Sequence, residues 1–292
     1  MRTYPDFLSN GVGPPALDVV GSGCGACNHR RFWLCWILLS YPGGKSGSGV
    51  FQRIISEQPP HDVYVEAFLG GGSIMRRKLP AAENVGIDAD GVPISRARAM
   101  VDARGWFLGA PSDLAYAARV KFLVGDSIRM LSDWARCRGP LWTRYGHLDD
   151  RVLVYCDPPY LPATRRQDRR IYRYELTPAD HVRLLGVVQR LPCLVQISGY
   201  FSDLYAYALQ GWRSISYPTM TRGTTSATEW LWMNYSQPNE LHDYRYLGRG
   251  FRDRERFRRL RSRMLARLAR LPDLERAALL SAMSAAWPTR RK

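Results

Sequence analysis

Short apolar segments alternate with helix-like segments through the middle of this sequence. The apolar runs lie at 63–68, 85–87, 120–124, 152–156 and 194–198, and glycine and aspartate residues bound them. The segments between them, at 73–78, 91–101 and 178–191, have the length and composition of helices. Near-continuous apolar strands separated by helices are typical of a parallel sheet covered on both faces. The sequence therefore predicts an α/β fold, with a mainly parallel twisted sheet flanked by helices.

Composition divides the chain of 292 residues into three parts. Residues 1–38 are rich in glycine, proline and serine, and we expect them to form a poorly ordered extension. The α/β pattern occupies residues 39–240. Residues 241–292 are predicted to form a basic helical extension, with a helix near 251–270 whose apolar stripe is expected to dock on the α/β domain. The stripe consists of Phe257, Leu260, Met264, Leu268 and Leu271.

The charge balance is strongly positive, with 42 Lys and Arg residues against 26 Asp and Glu residues. Residues 244–292 contain 14 Arg and one Lys against four acids, so +11 of the formal net charge of +16 lies there. A surplus of this size favours a polyanionic partner, of which nucleic acid is the commonest. Hydrophobic residues make up 46% of the chain, which excludes a disordered or fibrous protein.

Several sequence features bear on location and on metal binding. The cysteines have no regular spacing, the N-terminus lacks a secretory signal, and the longest apolar stretch, 32–39, is shorter than the roughly 20 residues of a membrane span. We therefore expect a cytoplasmic protein without a membrane partner. Cys24, Cys27, His29 and Cys35 are residue types that bind zinc, but no complete zinc finger surrounds them. No metal is predicted.

A glycine-rich turn, Phe68-Leu69-Gly70-Gly71-Gly72-Ser73, directly follows the first apolar run. Glycines between a strand and a helix let the backbone approach a nucleotide-like ligand closely. Asp88 follows Gly70 by 18 residues and ends the second apolar run, where an acid can bind ribose hydroxyls. The pair predicts a site for an adenosine-containing cofactor.

The tetrapeptide Asp157-Pro158-Pro159-Tyr160 follows the apolar run at 152–156. Its prolines remove two amide donors and stiffen the turn, which leaves the Asp157 carboxylate and the Pro158 carbonyl as acceptors directed at one point. Two acceptors beside an aromatic ring suit an exocyclic amine, whose N–H groups they accept while Tyr160 stacks on the base. The amine lone pair is then directed at an electrophile. We predict that these four residues are catalytic.

These motifs, in this order, resemble those of Dam-type DNA adenine-N6 methyltransferases with unpermuted motif order, and in particular compact members carried by phages and mobile elements. The resemblance runs from about residue 41 to residue 234. It implies a Rossmann-like class I methyltransferase fold and S-adenosyl-L-methionine as the cofactor. It also implies a DNA-associated enzyme of bacterial or phage-infected cells that acts on double-stranded DNA, as in restriction–modification, and that is a monomer or weak dimer.

The resemblance implies cofactor contacts at several motifs. Tyr41 and Lys45 are expected near the methionine portion, and Asp126 near the adenine. Lys45 could instead be a phosphate-attracting surface lysine, and Asp126 could simply cap the end of a strand. The implied cofactor-binding residues are Tyr41, Gly43, Gly44, Lys45, Glu66, Phe68, Gly70, Gly72, Asp88, Asp126 and Ser127.

Nucleic-acid contacts are expected from the basic loop after the catalytic tetrapeptide and from the basic helix. For both, a solvated basic surface is the alternative. Tyr172 and Tyr174, beside the loop, could stack on bases or pack beneath them. The predicted phosphate-binding residues are Arg165, Arg166, Arg169, Arg170, Arg222, Arg252, Arg256 and Arg259.

The chain departs from longer Dam-type enzymes in its target-recognition segment. Only a short stretch, around 127–150, separates the third cofactor motif from the catalytic tetrapeptide. Base recognition must then be shared with other segments, or the enzyme recognises a short sequence or has relaxed specificity. Two alternatives to adenine methylation in DNA stay open. One is methylation of cytosine N4 or of an RNA base, and the other is a non-catalytic DNA-binding regulator.

Overall fold

The structure is a computed structural model that describes residues 44–102, 106–111, 118–165, 170–220 and 226–287. The chain divides into two units, Met1–Leu39 and Ser40–Lys292, and every described residue belongs to the second. The N-terminal extension therefore lies outside the described residues. Five predicted site residues lie outside them as well: Tyr41, Gly43, Arg166, Arg169 and Arg222.

The described residues form a single seven-stranded sheet. Its strands are β1 (Val63–Ala67), β2 (Glu83–Asp88), β3 (Arg119–Val124), β4 (Val152–Cys156), β5 (Leu194–Tyr200), β6 (Arg213–Met220) and β7 (Ser226–Met233). The order across the sheet is β3-β2-β1-β4-β5-β7-β6. Strands β1 to β5 are parallel, whereas β7 is antiparallel to both β5 and β6. The carboxyl ends of β1 to β5 therefore meet at one edge.

Helices cover both faces of the sheet. They are α1 (Val50–Ile55), α2 (Ser73–Arg77), α3 (Gly91–Asp102), α4 (Ser127–Ala135), α5 (Gly139–Tyr145), α6 (Pro178–Val188) and α7 (Asp203–Ala208). Alternate residues of β1 enter different cores, since Val63 and Val65 pack with α4, α5 and α6 while Tyr64 packs with α1, α2 and α3. The central strands β1 and β4 are buried at every position, as expected of strands covered on both faces.

Local sequence signals set where the helices begin. The Asp126 carboxylate caps α4 by accepting hydrogen bonds from the backbone N–H groups of Ile128 and Arg129. Thr177 and Asp180 form a reciprocal capping box at the start of α6, and Pro178 occupies its first turn. These caps fix the loops that join the sheet to its helices at the carboxyl edge.

This arrangement confirms the predicted fold, the Rossmann-like α/β fold of class I methyltransferases with a mainly parallel sheet. The basic helical extension is also present, as α8 (Phe251–Ala269) and α9 (Asp273–Ala286). The sequence pattern does not predict the antiparallel β6–β7 pair. Pro218 lies within β6, and proline in a sheet is tolerated there because β6 is an edge strand.

The expectation that the apolar stripe of the basic helix docks on the α/β domain is wrong. Helix α8 contains no buried residue, and the stripe residues Leu260 and Met264 are 40% and 49% exposed, while the other three are only half-buried. Arginines flank the stripe along the whole helix, so burying it would also desolvate their charged groups, which is costly. The stripe consequently stays at the surface.

Residues 127–150, expected to carry a short target-recognition segment, are divided between the core and the surface. Helices α4 and α5 bury Leu131, Trp134, Leu141 and Tyr145 against the sheet. Their inward faces are therefore occupied by packing, and only their outward faces remain available to a partner.

The segment before α8 is attached to the α/β domain. The Asp243 side chain is fully buried and accepts a hydrogen bond from the backbone N–H of Leu79 at 2.9 Å. Arg245 pairs with Asp243 and donates to the Arg77 carbonyl at 2.7 Å. Residues 243–246 thus pack against the α2–β2 connection, and the exposed extension begins with α8.

Candidate active site

The glycine-rich turn after β1 has a left-handed backbone at three positions. Phe68, Gly70 and Gly72 have φ angles of 63°, 48° and 60°. A Cβ atom at Gly72 would lie 2.6 Å from Cη2 of Trp106, so glycine is required there both for conformation and for space. The backbone N–H of Phe68 donates to Ser127 Oγ at 3.3 Å, which ties this turn to the start of α4.

Asp88, at the end of β2, holds the same turn from its other side. Its carboxylate accepts the backbone N–H groups of Gly70 at 2.7 Å and Asp90 at 2.8 Å. The side chain is buried, and burial raises its pKa in spite of these two hydrogen bonds. A carboxylate fixed in this way keeps lone pairs for a ligand in the adjoining cavity.

Glu66, in β1, is a second buried acid beside the turn. Its Oε2 atom accepts the Tyr64 hydroxyl at 3.1 Å and the backbone N–H of Met75 at 2.7 Å. Burial raises the pKa of this carboxyl to about 8. A cationic ligand near Glu66 would therefore favour its ionised form.

These residues surround a cavity of about 360 Å³ at the carboxyl edge of the sheet. The size is within the range of small-molecule sites. The cavity brings together most of the predicted cofactor-binding residues with the first three predicted catalytic residues, whereas Gly72 is not among its lining residues. The lining residues that the sequence analysis names are Gly44, Lys45, Glu66, Phe68, Leu69, Gly70, Gly71, Ser73, Asp88, Asp126, Ser127, Asp157, Pro158, Pro159, Tyr172 and Tyr174.

Asp157 follows β4 and binds the ammonium group of Lys45. Lys45 Nζ lies 2.6 Å from Asp157 Oδ1, and Ser198 Oγ donates to the same oxygen at 3.1 Å. The Lys45 side chain is 3% exposed, so the alternative of a surface lysine is excluded. An amine is thus bound to the predicted catalytic carboxylate.

Tyr160 is held through its hydroxyl group. The hydroxyl accepts a hydrogen bond from Lys45 Nζ at 2.6 Å and donates one to Glu229 Oε1 at 2.9 Å. Lys45 Nζ also lies 3.0 Å from Glu229 Oε1, so the ammonium is shared by two carboxylates. The Tyr200 ring packs against the Tyr160 ring, with 4.4 Å between their centroids.

Burial and mutual charge determine the ionisation of this cluster. Burial alone would lower the pKa of Lys45, but Asp157 and Glu229 outweigh it and hold the pKa well above its usual value. Burial raises the pKa of Asp157, while Lys45 opposes that rise and Glu229 adds to it. Burial and then the Glu229 carboxylate raise the pKa of Tyr160 well above its usual value, so the phenol keeps its proton.

The structure places Arg165 differently from the prediction of a phosphate contact. Its guanidinium donates to the Tyr160 carbonyl at 2.8 Å and pairs with Glu175 at 2.5 Å, and the side chain is 7% exposed. It therefore closes the loop after the catalytic tetrapeptide rather than facing solvent. Arg170 is exposed, and it donates to the Tyr172 and Arg173 carbonyls of the same loop.

The predicted arginines of the basic helix are exposed on α8. Arg252, Arg256 and Arg259 face solvent, and Arg259 pairs with Glu255 at 2.8 Å. Exposed arginines on a helix keep their charge accessible to a polyanion. Of the two tyrosines beside the catalytic loop, Tyr172 is buried and Tyr174 is 50% exposed, and both line the cavity.

The sequence analysis assigns no role to Glu229, Ser198 or Glu175. Glu229 is the one acid of β7, between Thr228 and the apolar run that ends at Met233, and a buried acid in an otherwise apolar strand is the signal that could have identified it. Glu175 follows Arg165 by ten residues in an irregular loop, so no periodic spacing connects the two.

No family model and no curated protein matches the sequence. Among solved structures, the chain is similar to a putative RNA methyltransferase from Pyrococcus horikoshii, at 11% identity over 73% of this chain and 98% of that one, with a TM-score of 0.39. A putative methyltransferase from Streptococcus mutans in complex with SAH matches at 10% identity over 64% and 95% of the two chains, with a TM-score of 0.36. An rRNA methylase from Streptococcus thermophilus matches at 9% identity over 64% and 93%, with a TM-score of 0.36. Likenesses this weak carry no argument about reaction or substrate.

Two further findings concern the described part of the chain. None of its helices combines the length and the hydropathy needed to cross a membrane. Within the same described ranges, no cluster of three or more His, Cys, Asp or Glu side chains could hold a metal ion.

Proposed function

We propose that this protein is an S-adenosylmethionine-dependent DNA methyltransferase that transfers a methyl group to the N6 amine of an adenine extruded from duplex DNA. The observation that carries the proposal is the nitrogen donor already bound at the predicted catalytic turn, the Lys45 ammonium group. Lys45 Nζ lies 2.6 Å from both Asp157 Oδ1 and the Tyr160 hydroxyl, in a cavity that also contains the glycine-rich turn and Asp88.

The cavity suits S-adenosylmethionine in size and in charge. Its volume of about 360 Å³ is of the order of a nucleoside-sized ligand site. Asp88 would accept the ribose hydroxyls, and Glu66 would face the cationic methionine portion. Asp126 and Ser127 would border the adenine, since both line the cavity at the start of α4. Gly70, which lines the cavity and has a positive φ angle, lets the backbone pass close to the ligand.

The catalytic turn would bind the target amine in place of the Lys45 ammonium. Asp157 Oδ1 and the Pro158 carbonyl would accept its two N–H groups, which keeps the nitrogen lone pair out of the aromatic ring and directed at the methyl group. The cofactor supplies that methyl group on a sulfonium, so a nitrogen–carbon bond forms while the carbon–sulfur bond breaks. The nitrogen then loses one proton, and the raised pKa of Asp157 supports its role as the acceptor.

Positioning supplies most of the rate in such a reaction. Holding two reactants in near-attack geometry is equivalent to very high effective molarities. Asp157 accepts a hydrogen bond from Ser198 and Tyr160 donates one to Glu229, so both side chains keep a fixed partner when the target amine replaces Lys45. The ordered Asp157 acceptor and the ordered Tyr160 ring are suited to catalysis by positioning.

Duplex DNA would be held by the exposed arginines of α8. The residues 244–292 carry +11 of the net charge of +16, and the helix exposes Arg252, Arg256 and Arg259. A phosphate-binding helix of this kind attracts DNA without reading its sequence. Target selection would then fall to the loops near the catalytic turn.

The test is sequencing, with detection of modified bases, of plasmid DNA from cells that express the wild type or the Asp157→Ala variant. We expect N6-methyladenine with the wild type and none with Asp157→Ala. The control is Asp102→Ala, which removes an exposed carboxylate from the end of α3 and should leave methylation intact.

Each other outcome has a distinct meaning. N4-methylcytosine would move the target to cytosine, and methylated RNA with unmodified DNA would move it to an RNA base. A wild type that binds DNA but not S-adenosylmethionine by calorimetry would contradict the enzyme proposal and favour a DNA-binding regulator.

A further inference from the structure

Tyr160 is contacted by both members of one cross-strand pair. Tyr200 of β5 and Glu229 of β7 are directly opposite each other in the antiparallel ladder. The Tyr200 ring lies against the Tyr160 ring at a centroid distance of 4.4 Å and a tilt of 40°. Glu229 Oε1 accepts the Tyr160 hydroxyl at 2.9 Å. One cross-strand pair of the sheet thus packs against the Tyr160 ring and binds its hydroxyl group.

Burial of the Glu229 carboxylate at this position is energetically unfavourable on its own. Its side chain is 3% exposed, and a buried carboxylate is unfavourable unless charges and hydrogen bonds compensate it. Lys45 Nζ at 3.0 Å supplies the charge, and the Tyr160 phenol supplies a hydrogen bond. A carboxylate accepts only, so the Tyr160 hydroxyl must donate to it, and the orientation of that bond is fixed.

We propose that Glu229 is a positioning residue for Tyr160. Anchored at its hydroxyl by Glu229 and packed on Tyr200, the Tyr160 ring is held in one orientation, in which it would stack on the base that replaces the Lys45 ammonium at Asp157. This inference rests on the proposed function, because the orientation of the ring matters only if it stacks on a target base. Productive sites need such groups held within about 10–20° of their working geometry.

The kinetic test is a double-mutant cycle between Glu229 and Tyr160. Glu229→Met removes the acceptor, Tyr160→Phe removes the hydroxyl but keeps the ring, and each should lower kcat about tenfold, as the loss of one hydrogen bond to a charged group does. The double variant should be no slower than either single variant, because both remove the same bond. KM for S-adenosylmethionine should not change, since Glu229 does not line the cofactor cavity.

Two further variants separate this role from a general structural one. Glu229→Gln keeps an oxygen that accepts the Tyr160 hydroxyl and should recover most of the lost kcat. Glu83→Met removes a similar tyrosine–glutamate bond, from Tyr145 at 2.8 Å, at the start of β2, and should keep the wild-type kcat. Losses that add in the Glu229–Tyr160 cycle, or a Glu229→Gln variant as slow as Glu229→Met, would overturn the proposal.

A second measurement does not depend on methylation. With 3-fluorotyrosine placed at position 160, the ¹⁹F spectrum should show one sharp resonance in the wild type and in Glu229→Gln, and a shifted or broadened one in Glu229→Met. An unchanged resonance in Glu229→Met would refute the positioning role. If the wild type methylates no DNA, the proposed function fails, and this spectrum still tests whether Glu229 orients the ring.

Discussion

Replacement of Lys45 by methionine tests whether the buried cluster at the catalytic turn is ionised. Methionine has a similar length but no charge, so Asp157 and Glu229 would lose the ammonium that they share. Asp157 Oδ1 and Glu229 Oε1 both lie within 3.0 Å of Lys45 Nζ and are therefore no more than about 6 Å apart. At an effective dielectric constant of about 20, two negative charges at that distance repel each other by about 3 kcal/mol.

This repulsion makes the stability of Lys45→Met depend on pH. Asp and Glu side chains titrate near pH 4 in an unfolded chain. In the folded variant, burial and repulsion raise the pKa of the Asp157–Glu229 pair, so above about pH 4 the folded state retains a proton that the unfolded state releases. The free energy of unfolding should therefore fall as the pH rises, and about 3 kcal/mol should be lost by pH 8. In the wild type the Lys45 charge offsets part of this repulsion, so the pKa of Asp157 is raised less and stability falls less over the same pH range. Lys45 itself, whose pKa is held above its usual value, stays protonated throughout that range.

Urea denaturation at pH 5.5 and pH 8, followed by tryptophan fluorescence, measures the effect. Lys121→Met, which removes an exposed lysine from β3, is the matched control and should behave as the wild type at both pH values. Adding Glu229→Gln to Lys45→Met should remove most of the pH dependence in excess of the wild type, because only one acid of the pair then remains. A Lys45→Met variant whose stability falls between pH 5.5 and pH 8 no more than that of the wild type would refute an ionised cluster.

Three other predictions concern the cofactor turn and the basic helix. Asp88→Asn should weaken S-adenosylmethionine binding about tenfold or more by calorimetry, because a charged acceptor is worth more than a neutral one. Gly72→Ala should lower the free energy of unfolding by about 2–4 kcal/mol, through left-handed strain and the contact with Trp106, and an unchanged thermal midpoint would contradict this. Glutamine at three exposed arginines of α8 should lower the salt-dependence slope of duplex DNA binding by about 2–3, without a change in thermal midpoint. The three are Arg252, Arg256 and Arg259.

The sequence predicts most of the cofactor cavity because of how a parallel sheet is built. Asp88 ends β2, while Gly70, Asp126 and Asp157 follow β1, β3 and β4, and parallel strands bring their carboxyl ends to one edge. Residues that follow successive apolar runs therefore approach each other whatever the details of the helices. The same reasoning predicts the order of the motifs along the chain but not the contacts among their side chains.

Contacts made across antiparallel strands and irregular loops could not be predicted in this way. Glu229 reaches Lys45 across 184 residues, through a strand that pairs antiparallel with β5. The sequence has no local spacing that records such a contact. Arg165 carries the charge expected of a phosphate-binding residue, but its buried bond to Glu175 depends on how the loop folds back. Charge alone does not distinguish a buried arginine from an exposed one.

Under the proposed function, the packing of α4 and α5 bears on how a DNA sequence would be read. Their inward faces are buried in the core, so readout by residues 127–145 would fall to their outward faces and to the exposed turn at 136–140. Exposed aromatic side chains occur instead in loops at the carboxyl edge of the sheet, where Tyr174 follows β4 and Phe201 follows β5. Under the proposed function, loops so close to the predicted catalytic turn would reach bases near the target adenine. We therefore expect the strongest sequence preference beside that adenine, and any readout farther from it would depend on the outward faces of α4 and α5.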